Sequence, residues 1–292
     1  MKHAYLIMAH RDFYVLERFL ELMDDEDHDF FLHLDKDIAK ESIPENSIRK
    51  CVTKGKLHIY STYSVNWGGF SIVETELFLF RKAFQSGKYA YFHLCSGADL
   101  PIKPVDEIKT FFEENQGKEF ITYEQNQISE RFLDRVRFFY VSLKEKDKQK
   151  EFNEVLVAIQ KELGLSRINS GECYQKGAQW ASLTSGFVEM MLGKETWIRE
   201  RFRNTLCADE MYKHTIMVNS KYERNRVNNN LRKIDWNRGE PYVWRLKDFD
   251  ELMSSDCLYA RKFDSSVDRE IIDQIYHTVI LHQLGGSYEK FL

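Results

Sequence analysis

The sequence predicts an α/β fold in which helices cover a mostly parallel central sheet. Short apolar runs alternate with segments of helical apolar spacing from the N-terminus to about residue 115. The run at 91–95 is apolar and aromatic almost throughout, which is typical of a strand buried on both faces. Strand and helix signals that alternate in this way favour parallel strands joined by helical crossovers.

The N-terminal elements follow one another with clear boundaries. The apolar run at 4–9 is the first strand, and apolar residues three or four apart predict a helix over 13–23. Pro101 cannot donate to a strand ladder, so we expect pairing to stop at the turn over 96–99. The other expected elements are strands at 30–34, 57–60 and 91–95 and helices at 70–84 and 105–115.

The pattern after residue 120 is more polar. Thr184 or Ser185 would cap a helix at 185–192, and Gly285 with Gly286 would end the last helix. The remaining expected elements are strands at 121–123 and 179–184, a charged helical stretch at 130–163, helices at 209–217 and 268–284, and a long surface loop at 221–238.

Composition limits the classes of protein to which the chain can belong. Its 292 residues are 43% hydrophobic, enough for a sizeable core, and we expect one domain without repeats or linkers. Lys and Arg (42) nearly balance Asp and Glu (46), which argues against a general nucleic-acid binder. Five scattered cysteines without a C-x-x-C pair indicate thiols in a reducing cytosol rather than a zinc site or a disulfide framework. The apolar run at 4–9 is too short for a signal peptide or a membrane span.

Two strand-end turns carry carboxylates where an α/β sheet binds its ligands, beyond the carboxyl ends of the strands. Asp99 lies in the turn after the strand at 91–95, although turn geometry alone also explains an Asp there. Asp35 and Asp37 follow the strand at 30–34 in a D-x-D pattern of the kind that chelates Mn²⁺ or Mg²⁺. For Asp35 we favour a hydrogen bond from uracil or ribose, and a solvent-facing turn is the structural alternative.

Three further features each admit a functional and a structural interpretation. The glycine pair at 68–69 permits close approach to a ligand or simply forms a tight turn. Glu210, at a predicted helix start, is a candidate general base or part of a helix cap. Arg261 and Lys262, with Arg238 upstream, could hold a diphosphate or form surface salt bridges. Isolated histidines are expected to be structural: His10, His93 and His214.

Eight segments in order carry a resemblance: AYLIMAHRD, FFLHLDKD, VNWGGFSIVETEL, YFHLCSGADLPIKPVDEI, KGAQWASLTSGFVEMML, ADEM, LRKIDWNRGEP and LYARKFDSSVD. They resemble the core-2/I-branching β-1,6-N-acetylglucosaminyltransferase family, which includes the peptide O-xylosyltransferases. The resemblance implies a GT-A fold and an inverting transfer of a sugar, GlcNAc first and xylose second, from a UDP-sugar to an acceptor hydroxyl. It assigns the nucleotide to residues 1–120 and the acceptor and catalysis to 121–292 of a single domain, 1–292.

The resemblance also implies that no divalent metal and no other cofactor is required. In the family, an Arg and a Lys near the C-terminus neutralise the UDP diphosphate. The Lys matches Lys262, and the Arg matches Arg238, with Arg245 as a competitor. The strand-end turn at 96–99 carries a single acid, Asp99, which agrees with metal independence.

The remaining site residues follow from the same resemblance. Glu210 matches the catalytic base of a Pro-Asp-Glu-like motif, with Ala208 where Pro is common. Asp35 matches the acid that contacts uracil. Positions lining the donor sugar and the acceptor cleft match Asp99, Gly177 and Trp180.

Partners and rival functions complete the expectations. The resemblance implies a UDP-sugar donor, a glycan or lipid-linked glycan acceptor shaped partly by 124–137, and a cytoplasmic protein in transient contact with the inner face of a membrane. A metal-dependent transferase would instead use Asp35 and Asp37. An inactive relative would bind UDP or a glycan without transfer.

Overall fold

The computed structural model describes residues 1–124, 127–168 and 171–285. Its strands are β1 His3–Ala9, β2 His28–Leu34, β3 Lys56–Tyr60, β4 Tyr91–Ser96, β5 Asp99–Pro101, β6 Glu119–Phe120, β7 Ser182–Thr184, β8 Arg226–Val227, β9 Arg232–Ile234 and β10 Tyr259–Arg261. Its α-helices are α1 Phe13–Met23, α2 Glu45–Lys50, α3 Ser71–Ser86, α4 Val105–Glu114, α5 Glu130–Arg137, α6 Lys146–Glu162, α7 Ser185–Gly193, α8 Glu195–Phe202, α9 Tyr212–Val218, α10 Phe249–Met253 and α11 Arg269–Gln283. Among the described helices, none is both long and apolar enough to cross a membrane.

The chain forms two compact units that are not consecutive halves. The first comprises Met1–Ser61, Lys88–Gly117 and Leu231–Leu292, and the second comprises Thr62–Gly87 and Lys118–Asn230. The expected division near residue 120 therefore differs from the observed one at the C-terminus. The C-terminal segment returns to the first unit because β10 pairs with both β5 and β9.

Parallel strands form the core of the first unit. β1 lies between β2 and β4, and β3 lies beyond β2, with all of these pairs parallel. Every residue of β2 and β4 is buried, including their polar residues, as in strands that are covered on both faces. Helix α1 buries its apolar face, including Leu16, Phe19 and Leu20, and packs against α11. The predicted α/β class with mostly parallel strands is confirmed.

A small sheet of β5, β10 and β9 also belongs to the first unit. Pro101 lies opposite Tyr259 in the antiparallel pair of β5 and β10, so the prediction that pairing stops before this proline is wrong. β5 is an edge strand, where a missing N–H on the unpaired side costs no ladder hydrogen bond.

In the second unit, the strands have two or three residues each. β6 pairs antiparallel with β7 and parallel with β8, and α3 packs against α7. Thr184 caps α7, since its side chain accepts a hydrogen bond from Phe187 N at 3.3 Å. This confirms the predicted cap.

Three predicted elements of the second unit differ in extent from the observed ones. The strand expected at 121–123 ends at Phe120. The helical stretch expected at 130–163 is divided into α5 and α6 by a non-helical segment. The helix expected at 209–217 begins as a separate 3-10 turn, Ala208–Glu210, because Met211, between this turn and α9, has a non-helical backbone with φ of −126°. At the C-terminus, Gly285 has φ of +74° as a helix stop requires, whereas Gly286 lies outside the described residues.

Candidate active site

The structure divides the predicted site residues between the two units. The first unit contains the predicted nucleotide contacts Asp35, Asp99, Arg238, Arg261 and Lys262. The second contains Gly177, Trp180 and Glu210. The predicted site residues of each unit have their own set of neighbours, which we describe unit by unit.

The carboxyl ends of β1 and β4 form the switch point of the sheet in the first unit. β2 lies on one side of β1 and β4 on the other, which is where open α/β sheets bind ligands. Gly97 N donates to Met8 O at 2.9 Å, which holds the turn after β4 against the end of β1. A Cβ on Gly97 would lie 2.7 Å from the Cβ of Ala9, so only glycine fits this approach.

Three cations lie next to this switch point, and we call Arg11, Arg261 and Lys262 the cation cluster. Burial lowers the pKa of Lys262, the charges of Arg11 and Arg261 lower it further, and Asp264 opposes the shift. Lys262 forms no salt bridge with any residue that the structure describes. A half-buried ammonium group in this environment favours an anionic ligand.

The charges of Asp35 and of the cation cluster both act on His10. Burial lowers the pKa of His10, the Arg11 charge lowers it further, Asp35 opposes the shift, and Lys262 and Arg261 also contribute. Asp35 N donates to Ala9 O at 3.0 Å, which places this residue at the switch point. Sequence reasoning assigned His10 a structural role and did not single out Arg11. Their position directly after the central strand β1 is the signal that could have identified both.

Asp99 and Arg261 face each other across the small sheet. Asp99 is fully buried and accepts from Ser96 N at 2.9 Å, Ser96 Oγ at 2.6 Å and Arg261 Nη1 at 2.9 Å. β5 and β10 place the two residues opposite each other in register. Asp99 therefore orients Arg261, and the buried carboxylate offsets part of that guanidinium charge.

Arg238 lies in a separate salt-bridge group of the first unit. Its guanidinium contacts Asp235, Asp248 at 2.9 Å and Glu251 at 2.8 Å. Arg245, the competing candidate, donates to Val243 O at 2.9 Å. The arginines whose charges lower the pKa of Lys262 are instead Arg11 and Arg261.

In the second unit, Glu210 lies in the 3-10 turn Ala208–Glu210, which we call the Glu210 turn. Three backbone contacts fix it. Cys207 N donates to Gly68 O at 2.9 Å, Gly177 N donates to Glu210 O at 3.0 Å, and Lys213 Nζ donates to Asp209 O at 3.0 Å. The segments VNWGGF and KGAQW thus each supply a glycine that holds this turn.

Gly177 is required for its contact with the Glu210 turn. A Cβ at this position would lie 1.6 Å from Thr122 O and 2.8 Å from His214 Cδ2. Any side chain would displace the backbone that donates to Glu210 O.

Two cations flank the Glu210 carboxylate. Oε2 accepts from Arg135 Nη1 at 2.7 Å and lies 3.5 Å from Lys176 Nζ, which also pairs with Glu124. No described residue donates a hydrogen bond to Oε1. The side chain is 32% exposed, so Oε1 can receive a proton from a hydroxyl that approaches from solvent.

A buried polar network is linked to the Glu210 turn through Lys213, which donates to Asp209 O. Glu76 and Lys213 are both fully buried and form a salt bridge of 2.5 Å. The Glu76 carboxylate also accepts from Tyr212 Oη at 2.7 Å and from Gln179 Nε2 at 2.8 Å. Because every Glu76 oxygen is hydrogen-bonded, α3 and α9 are joined with good compensation for the burial of the charges.

Asp209 and Trp180 lie inside this unit rather than at its surface. Burial raises the pKa of Asp209 to about 7, the Glu210 and Glu76 charges raise it further, and Lys213 opposes the shift. Trp180 is only 7% exposed. These positions give both residues packing roles in the second unit, and the donor-sugar contact of Trp180 stays a prediction.

Comparison with known proteins identifies related enzymes. Xylosyltransferase 2 of Rattus norvegicus is 26% identical over 98% of this chain and 34% of its own length. Xylosyltransferase sqv-6 of Caenorhabditis briggsae is 26% identical over 88% and 34%, and xylosyltransferase 1 of Rattus norvegicus is 25% identical over 93% and 35%. The chain spans about a third of the length of the curated relatives it matches.

One solved structure and one family model also match this chain. The crystal structure of mouse xyloside xylosyltransferase 1, apo form, aligns with a TM-score of 0.40 and 10% identity over 88% of this chain and 97% of that chain. That likeness is too distant to support an argument about function. The family model "Branch: Core-2/I-Branching enzyme" matches residues 3–276. The chain therefore belongs to the Core-2/I-branching enzyme family, a family of glycosyltransferases.

Proposed function

We propose that the chain transfers a sugar from a UDP-sugar to a hydroxyl group of a glycan or peptide acceptor, with inversion and without a divalent metal. The observation that carries the proposal is the cation cluster at the switch point of the first unit. A diphosphate leaving group needs positive charge as its bond to the sugar breaks, and prepositioned cations supply it. Asp35, next to His10, would accept a hydrogen bond from uracil or ribose.

The proposed reaction is a single displacement. Glu210 takes the proton of the acceptor hydroxyl, the acceptor oxygen bonds to the anomeric carbon, and the bond to the UDP oxygen breaks. UDP leaves with the electron pair, and Lys262, Arg261 and Arg11 stabilise its charge. We assign the arginine role to Arg261 and Arg11 rather than Arg238, whose guanidinium is already engaged by three carboxylates.

The proposal also covers the class of donor sugar and the side from which the acceptor enters. The relatives are named xylosyltransferases, which supports UDP-xylose beside UDP-GlcNAc as the proposed donor. The basic residues Arg135 and Lys176 border Glu210, where the acceptor hydroxyl would enter. A lipid-linked acceptor and a cytoplasmic location at a membrane stay predictions.

The first test is calorimetric titration of UDP into the protein in EDTA and then with Mn²⁺. Binding in EDTA that Mn²⁺ leaves unchanged is expected, since the cation cluster needs no metal. Binding only with Mn²⁺ would move the site to Asp35 and Asp37. In the structure, Asp37 N donates to Asp35 Oδ1 at 2.9 Å. Binding without transfer to any acceptor would favour an inactive relative.

Lys262→Ala tests directly whether the cation cluster binds and stabilises the diphosphate. We expect UDP binding to weaken and transfer to fall by about 10²–10³-fold, the usual effect of removing one group that stabilises developing charge. Lys50→Ala, an exposed lysine at the end of α2, is the matched control and should change neither. Unchanged transfer by Lys262→Ala would contradict the metal-free mechanism.

A further inference from the structure

The residue before Glu210 carries a carboxylate inside the second unit. Asp209 belongs to the Glu210 turn, and it is only 6% exposed. Its Oδ1 is buried, and none of the residues that the structure describes forms a hydrogen bond with this oxygen. Burying a carboxylate without full hydrogen bonding is costly, and packing against neighbours requires no charge at this position. The charge of Asp209 therefore calls for an explanation beyond packing.

Lys213 pairs with another buried acid rather than with the Asp209 carboxylate. Its Nζ lies 2.5 Å from Glu76 Oε2, whereas it contacts Asp209 through the backbone oxygen at 3.0 Å. Since Glu76 takes the direct ion pair, little positive charge remains to offset an ionised Asp209. The charged and titratable groups that interact with the Asp209 carboxylate are Glu76 on α3, Arg135 on α5, Cys207 and Glu210 in the same segment, and Tyr212 and Lys213 on α9.

Asp209 gains its negative charge near neutral pH. Burial first, and then the charges of Glu210 and Glu76, raise the pKa of Asp209 to about 7, while Lys213 opposes the shift. Above this pH, Asp209 is mostly ionised and repels the Glu210 carboxylate, whereas below it Asp209 is mostly neutral. Because Asp209 is buried, water and salt screen this repulsion only weakly. The repulsion ends when Glu210 takes up a proton.

We propose that the ionised carboxylate of Asp209 promotes proton transfer to Glu210, because it repels the negative charge that Glu210 loses in that step. The inference rests on the proposed function, in which Glu210 is the general base. The acceptor proton moves to Glu210, and the acceptor oxygen keeps the electron pair that bonds to the anomeric carbon. An interaction that destabilises the reactants more than the transition state lowers the barrier. Asp209 acts through Glu210 and is a positioning residue rather than a catalytic one.

The dependence of sugar transfer on pH in Asp209→Asn tests the proposal. The amide keeps the size of the side chain and removes the charge. The native chain should exceed the variant several-fold in kcat at pH 8, and the ratio should fall to about one at pH 5.5, where the native Asp209 is also neutral. UDP binding should be unchanged in calorimetry. A ratio that stays constant with pH would overturn the proposal, because a loss of structural support does not follow the charge of Asp209.

Glu119→Gln is the matched control for this experiment. Glu119 is another buried acid of the second unit, and burial raises its pKa to about 7 as well. Its carboxylate accepts from Thr184 N at 2.8 Å, and Glu210 is not among the groups that shift its pKa. The ratio of native to Glu119→Gln transfer should therefore not vary with pH. The same variation with pH in both variants would contradict a specific action of Asp209 on Glu210.

NMR titration of the side-chain carboxyl carbons tests the interaction without an activity assay. A carboxyl group with a pKa of about 7 that is lost in Asp209→Asn identifies Asp209. Glu210→Gln should move this titration to lower pH, because it removes the neighbouring charge. No movement would overturn the proposal by showing that the two charges do not interact. A native chain that shows the movement but transfers no sugar would overturn the proposed function, and with it the role of Asp209 in proton transfer.

Discussion

Glu210 is held in a fixed orientation, as its proposed role as general base requires. Arg135 and Lys176 contact Oε2, which fixes the orientation of the group and leaves Oε1 directed to other partners. A fixed carboxylate loses little entropy when an acceptor hydroxyl arrives, which is part of what makes a positioned base effective.

Glu210→Gln should lower transfer by about 10²–10⁴-fold, the usual contribution of a general base, because the amide cannot take a proton. The amide keeps the size of the side chain, so the second unit should stay folded. UDP binding by the first unit should be nearly unchanged, as calorimetry would show. Turnover of the variant close to that of the native chain would remove Glu210 from the role of base.

The sequence predicted single residues better than their partners. Glu210, Asp35 and Lys262 were chosen from motifs that are local in the chain, and their roles stay predictions. Arg135 lies 75 residues from Glu210, so nothing in the local sequence indicates the ion pair between them. The resemblance gave Arg238 as the arginine that acts with Lys262, with Arg245 as competitor, whereas the charges that act on Lys262 in the structure include that of Arg11, which is distant in sequence.

At the scale of elements, the Glu210 turn depends on the segments around it more than on its own sequence. It is a 3-10 turn of three residues, too short to be stable alone. Contacts from Gly68, Gly177 and Lys213 supply the missing stability.

Gly177→Ala should therefore distort the Glu210 turn. A Cβ 1.6 Å from Thr122 O forces a backbone shift, and we expect a loss of about 1–3 kcal/mol in the free energy of unfolding with a large loss of transfer. Gly193→Ala is the matched control, since its Cβ would meet nothing within 4 Å, and it should be neutral or slightly stabilising. Urea unfolding and activity assays of both variants decide the matter. Equal effects would contradict the steric argument.

Lys213→Met should destabilise the protein by about 3–5 kcal/mol, because it leaves the Glu76 carboxylate buried without its cation. The double variant Glu76→Gln with Lys213→Met removes both charges and should recover part of the loss. Denaturant unfolding of the single and double variants measures the coupling. If the double variant were less stable by the sum of the two single losses, the pair would not act as a unit.

The predicted elements matched the structure where the apolar periodicity was strong. They differed where side-chain hydrogen bonds, which leave no periodic pattern in the sequence, set the boundaries. The limits of α1 were predicted residue for residue from apolar spacing. α5 and α6 were predicted as one helix, because nothing local shows that Gln149, Asn153 and Gln160 would bind the backbone between them. The turn before α9 was missed because nothing in the local sequence indicates the non-helical backbone of Met211, which separates the turn from the helix.

At the scale of the whole molecule, buried titratable groups make stability depend on pH. In the first unit, His3 Nδ1 and His93 Nε2 lie 2.8 Å apart. Burial lowers the pKa of His3 to about 3, of His28 to about 4 and of His33 to about 4. These histidines are neutral in the folded chain, whereas in the unfolded chain they take up protons below about pH 6.5. In the second unit, burial raises the pKa of Glu119 and of Asp209 to about 7, and these acids act in the opposite direction.

Stability from the histidines is complete above about pH 6.5 and is lost as the pH falls toward 4. The slope is up to about 1.4 kcal/mol per pH unit for each group. His28→Asn, whose amide can keep the hydrogen bond to Met23 O, should reduce the slope of unfolding free energy against pH by that amount between pH 4.5 and 6. Comparison with the native chain cancels the contributions of Glu119 and Asp209. An unchanged slope in urea titrations would show that His28 does not titrate on unfolding.

The order of the segments has a consequence for how the protein is made on the ribosome. The second unit is complete once residue 230 has been synthesised, whereas the first still lacks Leu231–Leu292. The unit that contains the N-terminus must therefore finish folding last, and its early strands wait for β9 and β10. Arg11 is made long before Arg261 and Lys262, and it gains them as neighbours only after the segment that contains β10 has emerged. The proposed UDP binding would accordingly appear only after Lys262 has been made, and ribosome-bound chains that stop at residue 230 should not show it.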